Sequence, residues 1–207
     1  MKLLFSTGSL YDRPLDYVAY VAASSGFDGI ELVLNGVWYD KELYKKIMFL
    51  ERVLPIQAIH APFDAKSFKE KSISLQKTLE IALDTDAKVV VVHPPNIKLF
   101  DFRYYSWFNR YLDKVSFKFD ICVEVMPLSL ISFFGRIIRV PLYSFSSFTE
   151  LREFVSSKGL KIAFDTTHVF TYGVSLIDAF EALGSINTIA HVHLSDFTFS
   201  KSVCKQH

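Results

Sequence analysis

Histidine and acidic residues stand at the ends of short apolar runs throughout this sequence. His60 directly follows the run of residues 56–59, His93 follows four consecutive valines, and Glu124 follows the run of residues 121–123. Imidazole and carboxylate groups are the ligands that zinc and manganese favour, and they also move protons in catalysis. The spacing therefore predicts a metal or acid–base site. The candidate residues, all at or just after such runs, are Glu31, His60, His93, Glu124, Asp165, His168 and His193.

The apolar runs predict seven β-strands, and segments of helical period lie between them. Strand centres recur about every 30 residues, the length of a βα unit, so we expect a parallel sheet with its polar groups gathered at the carboxyl ends of the strands. The predicted strands cover residues 3–6, 28–33, 56–60, 88–93, 120–125, 161–165 and 190–194. The predicted helices cover residues 15–25, 41–53, 67–84, 104–115, 149–157 and 176–183.

The fold class that fits this order is a TIM (β/α)8-type barrel, formed by residues 1–207 as a single domain. Side chains alternate across a strand, so if Glu124 points into the barrel, Cys122 does so too. The inward side chains are then small or medium-sized low in the barrel and polar at its mouth. A Rossmann-type sheet fits less well, because no Gly-x-Gly-x-x-Gly follows the first strand. A full barrel takes about 250 residues. We therefore expect about seven strands, with the last βα unit missing.

Composition excludes several classes of protein. Half of the 207 residues are hydrophobic and the net charge is +1, which argues against a nucleic-acid partner. The longest apolar stretch, residues 127–148, is interrupted by Gly135, Arg136, Arg139 and Pro141, so no membrane span is expected. Two cysteines and no visible signal peptide favour a reducing, cytoplasmic location.

Each candidate residue also has a structural explanation. Asp165, before two threonines, can simply cap a turn, and Glu31 can pair with a lysine of a neighbouring loop. We interpret His191 as a supporting or core histidine. The joint pattern of strand-end groups is what favours a metal site. Aromatic residues near the strand-to-helix loops, which either line a sugar ring or pack in the core, are Tyr11, Trp38, Tyr39, Phe63, Phe100, Trp107 and Tyr172.

These residues lie in motifs that resemble the xylose-isomerase-like TIM-barrel superfamily, which includes sugar isomerases and epimerases and the endonuclease IV type of abasic-site nuclease. The motifs span nearly the whole chain in the family's order. They are Gly26-Phe27-Asp28-Gly29-Ile30-Glu31, Ile59-His60-Ala61-Pro62-Phe63, Val92-His93-Pro94, Val123-Glu124-Val125-Met126-Pro127, Phe164-Asp165-Thr166-Thr167-His168 and His193-Leu194-Ser195-Asp196.

The resemblance implies a divalent metal, zinc or manganese, held by Glu124, Asp165 and His193. It also implies that His168 is a ligand, as in the nucleases, or a substrate contact, as in the epimerases. His60 and His93 match positions that bind additional zinc in the nucleases.

Three departures from the family pattern weaken the nuclease more than the isomerase. The glutamate of the eighth strand has no counterpart, Lys205 stands where the nucleases carry an aspartate, and Val125 replaces an asparagine.

The activity that the resemblance implies is metal-dependent isomerisation or epimerisation of a sugar or sugar phosphate, by proton transfer through a metal-stabilised enediolate. Glu124 would be one acid–base residue and His168 would position an oxygen. The second carboxylate would come from Glu31, from absent sequence or from a partner chain. The alternatives are an endonuclease IV-like phosphodiesterase with a multi-zinc site, and a catalytically impaired barrel fragment.

The expected partner is a small-molecule sugar, without membrane or nucleic acid. The apolar segment of residues 129–148 could cover a sheet edge or form a contact between two copies, so we also expect a homodimer.

Overall fold

A computed structural model describes residues 1–35, 41–96, 102–113, 117–133, 136–184, 187–195, 197–199 and 204–206. These residues form two compact units. One contains residues 1–92 and 116–120, and the other contains residues 93–115 and 121–207. Among the described residues, no helix has both the length and the apolar character needed to cross a bilayer.

The first unit contains four parallel strands, each hydrogen-bonded to the next along the chain. The strands of this unit are β1 (Leu4–Ser6), β2 (Gly29–Val33), β3 (Ile56–His60) and β4 (Val89–Val92). Its helices are the 3-10 turn Thr7–Leu10 and α1 (Leu15–Ser24), α2 (Leu43–Glu51) and α3 (Phe68–Asp84).

Burial explains why these strands read as continuous apolar runs. All five residues of β2 are buried, and in β3 Ile56, Ala58 and Ile59 are buried, although their side chains point to opposite faces. Parallel strands covered on both faces require this pattern. Helix α3 begins at a capping box. The side-chain hydroxyl of Ser67 accepts a hydrogen bond from the backbone N–H of Glu70, and the carboxylate of Glu70 accepts one from the backbone N–H of Ser67.

The second unit contains three parallel strands and an antiparallel hairpin. Its principal elements are α4 (Phe102–Leu112), β5 (Asp120–Glu124), β6 (Leu128–Phe133), β7 (Arg136–Pro141), α5 (Phe148–Lys158), β8 (Lys161–Asp165), α6 (Thr166–Phe170), α7 (Leu176–Leu183) and β9 (Ile189–His193). Strand β8 pairs with both β5 and β9, and β6 pairs with β7 over six residue pairs. A second antiparallel pair, β10 (Phe197–Phe199) with β11 (Cys204–Gln206), follows them.

The seven predicted strands are all present, each within one residue of its predicted ends, and the six predicted helices are present within three. The prediction of seven strands is confirmed. The elements that were not predicted are the 3-10 turn of residues 7–10, the hairpin β6–β7, helix α6 and the pair β10–β11. The hairpin occupies the apolar stretch that follows β5, and α6 begins at Thr166, with Asp165 as its N-cap, directly after β8.

Gly29 is the described glycine of the first unit at which an added Cβ would meet the closest contacts. A Cβ there would lie 2.7 Å from Cγ of Gln57 and 2.7 Å from the carbonyl oxygen of Pro55. That carbonyl accepts the backbone N–H of Ile30, so it is part of the pairing of β2 with β3 and cannot move freely. We expect Gly29→Ala to lower the free energy of unfolding by about 1–3 kcal/mol, measured by urea denaturation.

The control is Gln76→Ala on the exposed face of α3, where we expect a change within about 0.5 kcal/mol. If Gly29→Ala were as stable as this control, the close approach of Pro55 would not constrain the fold.

Candidate functional site

Five of the predicted site residues belong to the second unit. Glu124, Asp165 and His193 are the last residues of β5, β8 and β9. Parallel pairing sets Asp165 opposite His193. His93 follows the last valine of the fourth apolar run, and His168 lies in α6. The prediction that strand ends bring these groups together holds for this set.

Glu124 is the centre of this cluster. Its side chain is 2% exposed, and Oε1 accepts a hydrogen bond from Nδ1 of His193 at 2.8 Å. Oε2 lies 2.6 Å from Nε2 of His93, and Nδ1 of His168 lies 3.8 Å from Oε1. A buried carboxylate needs such partners, because removing its charge from water is costly.

The two carboxylate oxygens of Asp165 have different partners, one within α6 and one in the histidine cluster. Oδ1 accepts the backbone N–H of His168 at 2.8 Å and the hydroxyl of Thr167 at 2.7 Å, which caps α6. Oδ2 lies 3.6 Å from Nδ1 of His193 and 3.9 Å from Nδ1 of His168. The turn-capping explanation and the site explanation therefore both apply to this residue.

The carboxyl group of Asp165 is held in its charged form. Burial and the charge of Glu124 raise its pKa, but the nearby His193, the charge of His168 and the hydroxyl of Thr167 lower it by more. The pKa of Asp165 therefore lies below its ordinary value, and the buried site contains an ionised carboxylate at neutral pH.

His168 is oriented by the backbone. Its Nδ1 lies 2.9 Å from the carbonyl oxygen of Val125. A carbonyl oxygen only accepts, so Nδ1 must carry a proton, and Nε2 is the ring atom left for a metal or a substrate oxygen.

Two threonines and a serine tie the end of β9 to α6. The hydroxyl of Thr166 donates to the carbonyl oxygen of Ser195 at 3.0 Å, and the hydroxyl of Ser195 donates to that of Thr167 at 3.3 Å. Thr167 in turn donates to Asp165. These bonds hold the strand ends that carry Asp165 and His193. Asp196, the last residue of the motif His193-Leu194-Ser195-Asp196, lies outside the described residues.

The residues present fit a divalent metal ion. Glu124, Asp165 and His168 each offer a ligand atom, and these three atoms lie within 4.8 Å of one another. Two ligands at about 2.1 Å from a tetrahedral zinc ion lie about 3.4 Å apart, which is within that limit. Imidazole and carboxylate are also the ligand types that zinc and manganese favour.

Tyr143 is a site residue that the sequence analysis missed. Its ring meets that of His93 edge to face, with centroids 6.3 Å apart. Burial, and then the charge of Glu124, raise the pKa of Tyr143. The residue follows β7, and its backbone pairs with that of Asn96. No local sequence signal indicates this position, because it depends on where the hairpin returns.

A small cleft adjoins Glu124, and aromatic residues form much of its wall. It is lined by Pro94, Glu124, Val125, Met126, Phe145, Ser147, Phe148, Leu151 and Tyr172. The hydroxyl of Tyr172 donates to the carbonyl oxygen of Met126 at 3.0 Å, and burial followed by the charge of Glu150 raises the pKa of Tyr172 to about 12. Of the predicted aromatic wall, Tyr172 lies here; Trp38, Tyr39 and Phe100 lie outside the described residues.

Glu31 and His60 belong to the first unit. Both are buried, and they stand on the neighbouring strands β2 and β3, where Glu31 is opposite Ala58 and His60 is opposite Val33. Nδ1 of His60 donates to the carbonyl oxygen of Ala61 at 2.8 Å, which leaves Nε2 as the possible ligand atom. Their participation with the residues of the second unit stays a prediction.

The charge of Asp165 predicts a contribution to stability that depends on pH. Because its pKa is lowered in the folded chain, this contribution is present above the unfolded-state pKa of about 3.9 and is lost as the pH falls through the folded-state value. We expect wild type to be more stable than Asp165→Asn at neutral pH, and the difference to narrow on acidification. Urea unfolding of the metal-free chain at neutral and acidic pH measures it.

Asp178→Asn is the matched control, because Asp178 is an exposed carboxylate in the first turn of α7. The free energy of unfolding of Asp178→Asn should differ little from that of wild type at both pH values. A difference for Asp165→Asn that is unchanged or larger in acid would contradict the charged, hydrogen-bonded state of Asp165.

Comparison with known proteins gives several relatives. An uncharacterised protein of Mycobacterium leprae (strain TN) is 26% identical over 214 residues, which covers 95% of this chain and 75% of the relative. An uncharacterised protein of Mycobacterium tuberculosis (strain ATCC 25618 / H37Rv) is 25% identical over 221 residues, with the same coverage.

Solved structures with similar folds include epimerases and a nuclease. A D-tagatose 3-epimerase-like protein matches with a TM-score of 0.67 and 25% identity, over 95% of this chain and 76% of that chain. D-allulose 3-epimerase from Methylomonas sp., in complex with D-allulose, matches with a TM-score of 0.62 and 14% identity, over 95% and 73%. Endonuclease IV from Thermus thermophilus matches with a TM-score of 0.56 and 19% identity, over 88% and 71%.

A family match assigns the fold. The sequence model of the family described as xylose isomerase-like TIM barrel matches residues 19–207, which is most of the chain. This match confirms the barrel-type fold that the strand spacing predicted. The chain therefore belongs to the xylose isomerase-like TIM barrel family.

Proposed function

We propose that this protein is a metal-dependent sugar epimerase or isomerase that moves a proton at a carbon next to a carbonyl group. The observation that carries the proposal is the buried Glu124 carboxylate, which lies between the imidazoles of His93 and His193 and close to Asp165. Similarity to a D-tagatose 3-epimerase-like protein over 95% of the chain supports the choice of substrate class.

Glu124, Asp165 and His193 are the residues that we assign to the metal, and Nε2 of His168 is available to it or to a substrate oxygen. Zinc or manganese is the expected ion, because the ligands are a mixture of imidazole and carboxylate. A divalent cation bound by these groups would polarise the carbonyl and the adjacent hydroxyl of a ketose.

Glu124 is the group that we assign to proton transfer. Its carboxylate takes the proton from the carbon beside the carbonyl, while His93, 2.6 Å from Oε2, balances the charge of the carboxylate. His168 is held by Val125 and positions a substrate oxygen. Tyr143 and Tyr172 add aromatic surface for the apolar face of a sugar.

Epimerisation needs a second carboxyl group that returns the proton to the opposite face. Glu31 stays the proposed candidate for this role; it is an acid on β2 and is 3% exposed. The nuclease alternative has less support. The likeness to endonuclease IV, at 19% identity, shows the fold alone, and the near-neutral net charge does not favour a DNA partner.

The first prediction of this proposal concerns metal content. Purified protein should bind zinc or manganese near stoichiometrically, as measured by elemental mass spectrometry after removal of loosely bound ions. Glu124→Gln and His193→Ala should each weaken metal binding at least about tenfold, because each removes a ligand.

The matched control is Glu153→Gln, at an exposed position of α5, which should bind metal like wild type. Failure of wild type to bind zinc or manganese in excess would overturn the proposed centre.

The second prediction concerns proton transfer. In heavy water, metal-loaded protein should introduce solvent deuterium next to the carbonyl of D-tagatose, D-allulose or a related ketose, followed by NMR. Glu124→Gln should lower the rate by about 10²–10⁴-fold, the usual contribution of a general base.

A metal-loaded chain that exchanges no deuterium into any ketose or ketose phosphate would count against the epimerase. Cleavage of duplex DNA at an abasic site by the same preparation, abolished by a chelator, would establish the nuclease alternative instead.

A further inference from the structure

The hairpin β6–β7 is the largest feature of the second unit that the proposed reaction does not use. It leaves the chain four residues after Glu124, and its pairing runs from Leu128 with Pro141 to Phe133 with Arg136. Both of its strands contact Thr171, which directly follows the short helix α6. Helix α6 carries His168.

The first contact joins β6 to His168 through one hydroxyl group. The backbone N–H of Leu128 donates to Oγ1 of Thr171 at 2.8 Å, and that hydroxyl donates to the carbonyl oxygen of His168 at 2.6 Å. Thr171 directly follows α6 and is its C-cap. The hydroxyl therefore links the start of the hairpin to the backbone of the histidine.

The second contact comes from the return strand β7. Nε of Arg139 donates to the carbonyl oxygen of Thr171 at 2.8 Å. Gly173 makes room for this arginine, because a Cβ there would lie 3.0 Å from Nη2 and 3.2 Å from Cζ of Arg139. Gly173 also has a φ of +74°, which disfavours any residue with a side chain.

The chain between β5 and the hairpin makes two more bonds to the same region. The carbonyl oxygen of Val125 accepts from Nδ1 of His168, and that of Met126 accepts from the hydroxyl of Tyr172. A helix of five residues is too short to be stable by itself. Its position, and with it the position of His168, must therefore be set by external contacts, which are these bonds at its end and the cap from Asp165 at its start.

We propose that Arg139, Thr171 and Gly173 form a hairpin clamp that positions the imidazole of His168. The clamp holds α6 against the chain that leaves β5. The hydrogen bond from Nδ1 of His168 to the carbonyl oxygen of Val125 is thereby kept, and Nε2 keeps its lone pair for a metal ion or a substrate oxygen. These three are positioning residues, since none of them belongs to the Glu124 cluster. The catalytic consequence rests on the proposed function, whereas the effect on His168 does not.

The test is the tautomer of His168 in the metal-free, full-length chain. Histidine labelled with ¹⁵N shows by long-range NMR which ring nitrogen carries the proton, at about pH 8, where imidazoles are mostly neutral. The His168 signals are assigned with His168→Gln. We expect the Nδ1-protonated form to dominate in wild type, and both tautomers to appear in Arg139→Met and in Thr171→Val.

The controls separate positioning from general stability. Arg110→Met removes a similar bond, from Nε of Arg110 to a carbonyl within its own helix, and should leave His168 unchanged. Thr171→Ser restores the hydroxyl and should restore the wild-type tautomer. If Arg139→Met does not fold, Thr171→Val beside Thr171→Ser decides the question.

Unchanged His168 signals in folded Arg139→Met or Thr171→Val would overturn the clamp, even if these variants were less stable. For the metal-loaded enzyme we expect kcat to fall about tenfold to a hundredfold in Thr171→Val, compared at equal metal content. Because the NMR signature needs no turnover, loss of the proposed activity and failure of the clamp remain distinguishable.

Discussion

A buried negative charge is the constraint on which the second unit depends. Glu124 ends β5 with almost no exposure to water, and its two oxygens meet imidazoles that come from different parts of the chain. A carboxylate in such surroundings is tolerated only while its partners stay in place, since an uncompensated buried charge costs several kcal/mol. The ends of β5 and β9 and the segment at His93 are therefore held to one another by electrostatics as well as by packing.

Asp165 shows that folding and chemistry are not separable at these strand ends. One oxygen starts α6, and the other faces His193 and His168. The residue that ends β8 thereby also sets where the next helix begins, and three residues later that helix presents His168. A substitution at Asp165 would disturb a helix cap and a charged site together, so effects on stability and on chemistry would be correlated there.

The sequence predicted the strands well because buried parallel strands leave a strong local signal. The four valines before His93 and the run before Glu124 are continuous apolar segments with polar residues at their ends. The hairpin β6–β7 was missed although Gly135, between two apolar runs, is a known hairpin signal. Tyr143 could not be predicted, because its contact with His93 depends on the path of the returning chain. The proton on Nδ1 of His168 likewise follows from a backbone carbonyl distant in sequence.

The hairpin is anchored at its base, and most of the groups that anchor it are backbone atoms. Leu128 uses its N–H, and Thr171 and His168 use their carbonyl oxygens, so Arg139 is the hairpin residue whose side chain these bonds require. Its strands could be lengthened or shortened by paired residues without disturbing the strands that carry Glu124 and Asp165. The hairpin is thus an element whose length can vary while the strands that carry Glu124 and Asp165 stay as they are.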